Sequence, residues 1–367
     1  MLMAAGLLKV CNFMYSFTNY PRQVSEAFYT HAREEIVKNY SSNDDIVSIY
    51  EYGSVSSPGV SDLDIMLIMR EDPRVTDQEL DFRHINEDVF SLVQDGNVMK
   101  MTRDIFENLS FLDDFHVKKI FGKDVPIVTP SDEDKNVLKL ISIVDWLPER
   151  VLRLTRVIND KTINISNVLC ILHSFLYSIK RIDKMIPQAK KSANLIKTIE
   201  SLRNNWHNLN SPEDILVRTI KNSISLGYLY LNQFKEYVID LGHYQDIDSN
   251  YLDNIEIEIF KNHFLRFVGK EFESNLEESS SAMSDSSKAF VSVPGMFYAH
   301  FYHLSIQDGL LSESMRNKIN PYIPCENKLQ EKYRTNLTRK MKIASENAKF
   351  LKENGFKGGL IRYGFHL

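Results

Sequence analysis

The chain has 367 residues, of which 43% are hydrophobic and 25% are charged, an ordinary composition for a globular protein with room for two domains. Its formal net charge of −5 argues against a general affinity for nucleic acid, which usually shows as a basic excess over a whole domain. Nucleic acid is therefore not expected among its partners.

The cysteines and the apolar segments indicate the cellular setting. Cys11, Cys170 and Cys325 lie far apart and form no Cys-x-x-Cys pair, so neither a zinc site nor a disulfide framework is indicated. The first residues lack the basic region and cleavage site of an export signal, and no apolar run is long enough to span a bilayer. The sequence therefore predicts a cytoplasmic protein without a membrane segment.

The N-terminal region predicts a helix over residues 18–40. Pro21 lies near its first turn, and Val24, Phe28 and Ile36 fall on an apolar stripe. We expect this helix to pack beneath the strand that follows it.

Two apolar runs separated by a turn carry the main functional signal. Residues 46–52, IVSIYEY, are rich in β-branched and aromatic residues and predict a strand that ends at Gly53. Pro58, Gly59 and the neighbouring serines then form a turn with many N–H and hydroxyl donors, a composition that favours anion binding.

The second run opens with alternating aspartates, Asp62-Leu63-Asp64-Ile65. The period of two along a strand puts both carboxylates on one face and the aliphatic side chains on the other. Two neighbouring carboxylates repel each other, but a Mg²⁺ ion between them relieves that repulsion, since it prefers oxygen ligands and commonly takes one or two carboxylates plus substrate phosphates. The simpler alternative is a hairpin turn that carries two solvated aspartates.

The order Gly53-Ser54, a short loop, then Ser61-Asp62 and Asp64 resembles the signature of the nucleotidyltransferase superfamily typified by DNA polymerase beta. The resemblance implies that Gly53, Ser54 and Ser61 bind the phosphates of a nucleoside triphosphate. It also implies that Asp62 and Asp64 are catalytic and bind two Mg²⁺ ions.

The resemblance covers roughly residues 20–130 and implies a fold and an activity. The expected fold is α+β, with a small mixed nucleotidyltransferase-type sheet and flanking helices, followed by a mostly α-helical domain.

The expected activity is transfer of a nucleoside monophosphate from a triphosphate such as ATP to a hydroxyl or amine, with release of pyrophosphate. The acidic balance favours a small molecule or a protein side chain as acceptor. The alternative is a nucleotide-binding or partner-binding protein on the same fold, without transfer chemistry.

A third carboxylate, which this family usually supplies on the next strand, is harder to identify. Residues 88–103 predict a strand, an Asp-Gly turn and a second strand beside the aspartates. Asp104 shares a face with Lys100 and Thr102 and is the first candidate, Asp95 in the turn is the second, and a site with two carboxylates is the third possibility. Asp104 can equally cap a helix, and Lys100 can contact a phosphate or be solvated.

Shifts in composition divide the chain into predicted domains. Residues 1–130 form the catalytic domain, and Pro130 with the acidic Ser131–Asp134 run begins a helical domain over 131–276. Residues 132–270 are predicted to be helical almost throughout, with an amphipathic helix over 165–182 and helical hairpins over 213–241 and 255–268. The Ser-rich segment 277–288 is a linker or loop, and residues 289–367 hold an aromatic segment and a charged helix, 327–354, that packs on the helical domain with a solvated surface. A short apolar strand is also predicted after the Phe-Gly-Lys turn near residue 122.

The acceptor is expected between the two domains, because ligand sites prefer domain interfaces. Arg150, Arg153 and Arg156 recur every three residues on a helix predicted before residues 165–182, early in the second domain. Such a stripe is most often a solvated face, but here it can also supply side chains that reach a phosphate.

Overall fold

The computed structural model describes the chain over the ranges 15–81, 87–90, 98–112, 116–186, 192–240, 257–259, 264–267, 290–292 and 328–356. These residues form a mixed α+β fold with small sheets. The strands are β1 (Ser16–Thr18), β2 (Ile46–Tyr52), β3 (Asp64–Met69), β4 (Met99–Thr102), β5 (Val117–Gly122), β6 (Thr162–Asn164), β7 (Ile257–Ile259), β8 (Phe264–Phe267) and β9 (Phe290–Ser292). The helices are α1 (Glu26–Tyr40), α2 (Glu87–Phe90), α3 (Arg103–Glu107), α4 (Asp132–Asp160), α5 (Ile165–Met185), α6 (Ala193–Asn205), α7 (Pro212–Asp240) and α8 (Lys328–Glu353).

The main sheet has the strand order β4-β3-β2-β5. β2 pairs antiparallel with both β3 and β5, and β4 pairs parallel with β3. The predicted strands on either side of the turn are thus confirmed, and so is a strand beside the one that carries Asp64. The predicted partner strand before β4 is wrong over Glu87–Phe90, which is the short helix α2. The Asp-Gly turn lies outside the described residues.

Each face of this sheet is covered by a separate apolar core. On one face Tyr29 and Ile36 of α1 pack against Leu63, Ile65 and Leu67, which confirms the predicted alternation of aliphatic residues. The other face carries residues from β2, β3, β4 and α3: Tyr50, Met66, Ile68, Met101, Ile105 and Phe106. Both faces of β3 are therefore buried, and only its first residues are free to form a site.

The N-terminal helix begins later than the sequence predicts. Residues 16–18 form β1, which pairs parallel with β6, and α1 begins at Glu26. The expectation that Pro21 marks the first helical turn is wrong, because the amide of Arg22 donates to the carbonyl oxygen of Gly59 at 3.1 Å. This tertiary contact holds the chain extended before α1.

The second part of the chain is built from long helices, as predicted. α4 begins after Ser131, whose hydroxyl accepts the amide of Asp134 as an N-terminal cap. α5 falls where apolar periodicity predicts a helix, and α7 falls in the helical range predicted over 213–241. With α4 and α6 they enclose a core that includes Leu147, Leu172 and Phe175. The predicted helix over 255–268 is wrong, since Ile257–Ile259 and Phe264–Phe267 are strands paired antiparallel.

The C-terminal helix α8 joins the two parts of the molecule. Its prediction as a helix is confirmed, but the expectation of a solvated helix is wrong. Tyr333 and Leu337 are buried in the helical core, whereas Ile343 and Phe350 are buried on opposite faces of the main sheet. The side-chain amide of Asn347 donates to the carbonyl oxygen of Lys100 in β4 at 2.9 Å. Charged residues between these apolar positions conceal the buried stripe in the sequence.

Two further expectations concern strands and membranes. The strand predicted after residue 122 is wrong, because β5 ends at Gly122 and the following residues form no strand. Across the ranges that the structure describes, no helix is long and apolar enough to cross a membrane. The predicted linker over 277–288 lies outside those ranges.

Candidate functional site

The end of β2 presents a short row of backbone donors. Gly53 adopts a φ of 73°, a left-handed conformation that turns the chain out of the sheet, and its amide donates to the carbonyl oxygen of His116 at 2.8 Å. The next residues, Ser54 to Ser56, leave the strand with both serines exposed. Within the described part of the chain their amides and hydroxyls have no protein acceptor. These donors, rather than the amide of Gly53, are available to an anion.

A tight turn over residues 57–61 follows and is held by contacts to α1. The hydroxyl of Tyr29, which is fully buried, donates to the carbonyl oxygen of Ser61 at 2.6 Å and accepts the amide of Gly59 at 3.0 Å. Gly59 adopts a φ of 83°, and its carbonyl oxygen accepts the amide of Arg22. The loop is therefore fixed by buried hydrogen bonds, although much of its sequence is small and polar.

Ser61 is part of this scaffold. Its hydroxyl accepts the amide of Ser57 at 3.1 Å and an N–H of Arg203, on α6, at 3.1 Å. Ser61 is 7% exposed, so its side chain supports the loop from within. The predicted phosphate contact of Ser61 is therefore replaced by a structural role, and Ser54 and Ser56 are the serines that face solvent.

Asp62 and Asp64 lie where β3 begins, directly beside the end of β2. Asp64 is paired with Tyr52, so the donors that follow Gly53 and the two carboxylates share one edge of the sheet. Strand geometry begins only at Asp64, and Asp62 lies in the last residues of the loop. Both aspartates are partly buried, and burial together with the nearby charges of Asp62 and Glu51 raises the pKa of Asp64 to about 7.

Glu51 is a further carboxylate that the sequence did not indicate as important. It is 4% exposed, and both of its oxygens accept N–H groups of Arg33 on α1, at 2.8 and 2.7 Å. This bidentate pair neutralises Glu51 beside Asp64 and orients its oxygens toward α1. A charged residue inside an otherwise apolar strand was the available signal, but its partner becomes visible only in the fold.

The predicted third carboxylate and the predicted lysine lie elsewhere. Asp104 is in the first turn of α3, beyond the end of β4, where Thr102 pairs with Met69. Because β3 and β4 are parallel, Asp104 lies at the opposite end of the six-residue β3 from Asp64, roughly 16 Å away along the strand. The structure therefore contradicts a shared site for Asp104 and Asp64. Asp104 is not the cap of α3 either, since Thr102 takes the N-cap position. Asp95 lies outside the described residues.

The position of Lys100 also differs from what its predicted phosphate contact requires. Lys100 pairs with Leu67 and points to the α1 side of the sheet, where it is 2% exposed. Its ammonium group contacts Asp77 at 3.0 Å and lies 5.9 Å from the ring centre of Phe356. Its charge serves a buried ion pair on the face opposite Asp64, so a direct phosphate contact is not supported.

Among the described side chains, a cation that reaches the loop is supplied by α6, and the side chain of Arg156 in the predicted stripe on α4 lies outside the described residues. Arg203 contacts Ser61, while Arg150 stacks on Trp146 within α4, with its guanidinium carbon 4.5 Å from the ring centre. Cys170 of α5 lies in the same region, since its thiol donates to the carbonyl oxygen of Val60 at 3.6 Å. The wall beside the aspartates is thus formed by α5 and α6.

The raised pKa of Asp64 predicts a loss of stability with rising pH when divalent cations are absent. The folded state holds a proton up to about pH 7, whereas the unfolded chain releases it near 3.8, so the stabilisation present below 3.8 is lost as pH rises through 7. Asp64→Asn should therefore be more stable than the wild type by about 1–3 kcal/mol at pH 8 in EDTA, and equal to it at pH 4.

Urea unfolding at both pH values measures this difference. Asp44→Asn, at an exposed position before β2, is the matched control and should change stability at neither pH. A pH-independent difference between Asp64→Asn and the wild type would contradict the assignment of the shift to Asp64.

The donor set limits how a metal ion is held. In the part of the chain that the structure covers, no three His, Cys, Asp or Glu side chains are grouped to hold a metal ion. Asp62 and Asp64 fit Mg²⁺ only when other oxygens complete its coordination, as substrate phosphates and water commonly do. Comparison with family models, curated proteins and solved structures gave no match.

Proposed function

We propose that this protein is a metal-dependent nucleotidyltransferase that transfers a nucleoside monophosphate from a triphosphate to a hydroxyl or amine acceptor. One observation carries the proposal: the donors of residues 54–56, which have no acceptor among the described residues, and the carboxylates of Asp62 and Asp64 lie at one edge of the main sheet. A triphosphate with its cation requires both kinds of group close together.

The loop after β2 would hold the phosphates. Successive N–H groups that leave a strand at a left-handed residue form a concavity suited to anions, and the exposed hydroxyls of Ser54 and Ser56 add donors. The buried contacts of Tyr29 fix the turn over residues 57–61 that directly follows these donors, which would lower the cost of ordering the loop on binding.

The two aspartates would hold the cation and orient the reacting groups. Mg²⁺ at such a site supplies charge neutralisation for the entering and leaving oxygens of the displacement. Arg33 neutralises Glu51, so the charge directed to the open edge comes from Asp62 and Asp64. The proposal is supported by a small mixed sheet in which β3, the strand that begins at Asp64, lies between β2 and β4.

The acceptor would be a small molecule or a protein side chain, since the net charge of −5 does not favour nucleic acid. A second candidate function is binding of a nucleotide without transfer. It is favoured by the position of Asp104, which does not supply a carboxylate beside Asp62 and Asp64, and by the pairing of Glu51 with Arg33.

Two measurements test the proposal. Calorimetric titration with a non-hydrolysable triphosphate should show binding that depends on Mg²⁺. Incubation with labelled triphosphates and pools of small alcohols, amines and proteins should then release pyrophosphate only when an acceptor is present. Binding without turnover in every pool would favour the second function, and absence of binding would exclude both.

A further inference from the structure

Two consecutive residues of α6 hold the two ends of the turn that precedes Asp62. Arg203 donates from Nη2 to the hydroxyl of Ser61 at 3.1 Å, and Asn204 accepts the hydroxyl of Ser57 at 2.6 Å. Ser57 and Ser61 are themselves joined, since the amide of Ser57 donates to the hydroxyl of Ser61. These contacts link residues that are more than 140 positions apart in the sequence.

The burial of Arg203 indicates that the fold is arranged to hold its contact with the turn. Arg203 is 5% exposed, and its other terminal nitrogen donates to the carbonyl oxygen of Leu169 at 3.0 Å. Burying a guanidinium group is costly unless its N–H groups are bonded, so the surrounding structure must be arranged to accept it. Val60, between the two serines, is buried in the core of the helical part. The turn is thus anchored to that part by the buried side chain of Val60 and by hydrogen bonds from α5 and α6.

We infer that Arg203 and Asn204 are positioning residues, which set the place of Asp62 through the turn over residues 57–61. We call the hydrogen bonds of Arg203 with Ser61 and of Asn204 with Ser57 the clasp. The inference rests on the proposed function for its catalytic consequence, whereas the clasp itself is independent of that function. Asp62 follows Ser61 directly, so a displaced turn moves its carboxylate relative to Asp64, which is fixed by β3. Misplacing a catalytic group by about 1 Å can lower a rate 100-fold.

The planar shape of the guanidinium distinguishes this role from a general effect of charge. Arg203 uses two different nitrogens for Ser61 and Leu169, a fork that the single ammonium group of lysine does not reproduce. Arg203→Lys should therefore behave like Arg203→Met if the geometry of the clasp matters. Recovery of the wild-type values by Arg203→Lys would overturn this part of the inference.

The variants are compared by amide hydrogen exchange and by steady-state kinetics well below their melting temperatures. We expect Arg203→Met to raise the exchange rate of a peptide covering residues 57–63 at least roughly tenfold, and to lower kcat/KM by about 10- to 100-fold. Arg181→Met is the matched control, because Arg181 joins α5 to Ser142 of α4 within the same helical core. It should lower the melting temperature without changing either readout at the site.

Milder variants keep the inference testable if Arg203→Met does not fold. Asn204→Ala and Ser57→Ala each remove one partner of the same hydrogen bond, so their effects on exchange should not add in the double variant. Additive effects, or unchanged exchange in residues 57–63 of all these variants, would overturn the clasp. If the wild type neither binds nor transfers nucleotide, the proposed function fails, while the exchange experiment still decides whether the clasp exists.

Discussion

Asp62→Asn and Asp64→Asn should each lower the rate of nucleotidyl transfer by about 1,000-fold or more. An amide keeps the size of the side chain but removes the negative charge that attracts a divalent cation, and metal-assisted phosphoryl chemistry depends on that charge. Under the proposed function the effect should appear mainly in kcat, because the donors of residues 54–56 would still be available to the phosphates. Pyrophosphate release at saturating Mg²⁺ and triphosphate measures it.

The control variant replaces a carboxylate by an amide at a position far from the site. Asp44→Asn lies on the exposed turn before β2, at the end of the sheet away from the site, and should retain the wild-type rate. Rates within threefold of the wild type in both site variants would refute the metal-binding role. Titration with Mn²⁺ provides a second readout, since each site variant should bind the ion more weakly even where no acceptor is known.

Local sequence patterns were sufficient to predict the strands around the candidate site and the long helices. β2 and β3 are recognisable because their side chains are β-branched, aromatic or aliphatic and are interrupted by a turn rich in glycine and serine. The start of α4 could be located from the acidic run after Pro130, and α5 from its apolar period. In each case the signal lies within a few residues of the feature that it specifies.

The remaining parts of the site depend on contacts between distant segments. Glu51 and Arg33 are separated by a helix and a turn, and Arg203 meets Ser61 only when α6 packs beside the loop. The role of Asp104 could not be judged from parity alone, because the face of a residue does not show at which end of the sheet it lies. The parallel pairing of β3 and β4 decides that question.

Gly59→Ala should be the most destabilising single substitution in the loop, with a loss of about 3–5 kcal/mol in the free energy of unfolding. An added Cβ at residue 59 would lie 1.9 Å from the carbonyl oxygen of Arg22, a distance that backbone atoms cannot tolerate. Moving the two segments apart would break the bond between the amide of Arg22 and the carbonyl oxygen of Gly59. Chemical denaturation at pH 7 measures the loss, and the turn over residues 57–61 should exchange its amides faster.

Comparing Gly53→Ala with Gly59→Ala separates the cost of steric crowding at residue 59 from the cost of a left-handed backbone conformation. Gly53 also has a positive φ, of 73°, but an added Cβ there would meet no atom within 4 Å. Its substitution should therefore cost only the conformational penalty of about 1 kcal/mol. The difference between the two variants measures the close approach of Arg22 to the loop. Equal losses at the two positions would mean that backbone conformation alone controls the turn, and that the contact between Arg22 and Gly59 does not fix the loop that carries Ser61 and Asp62.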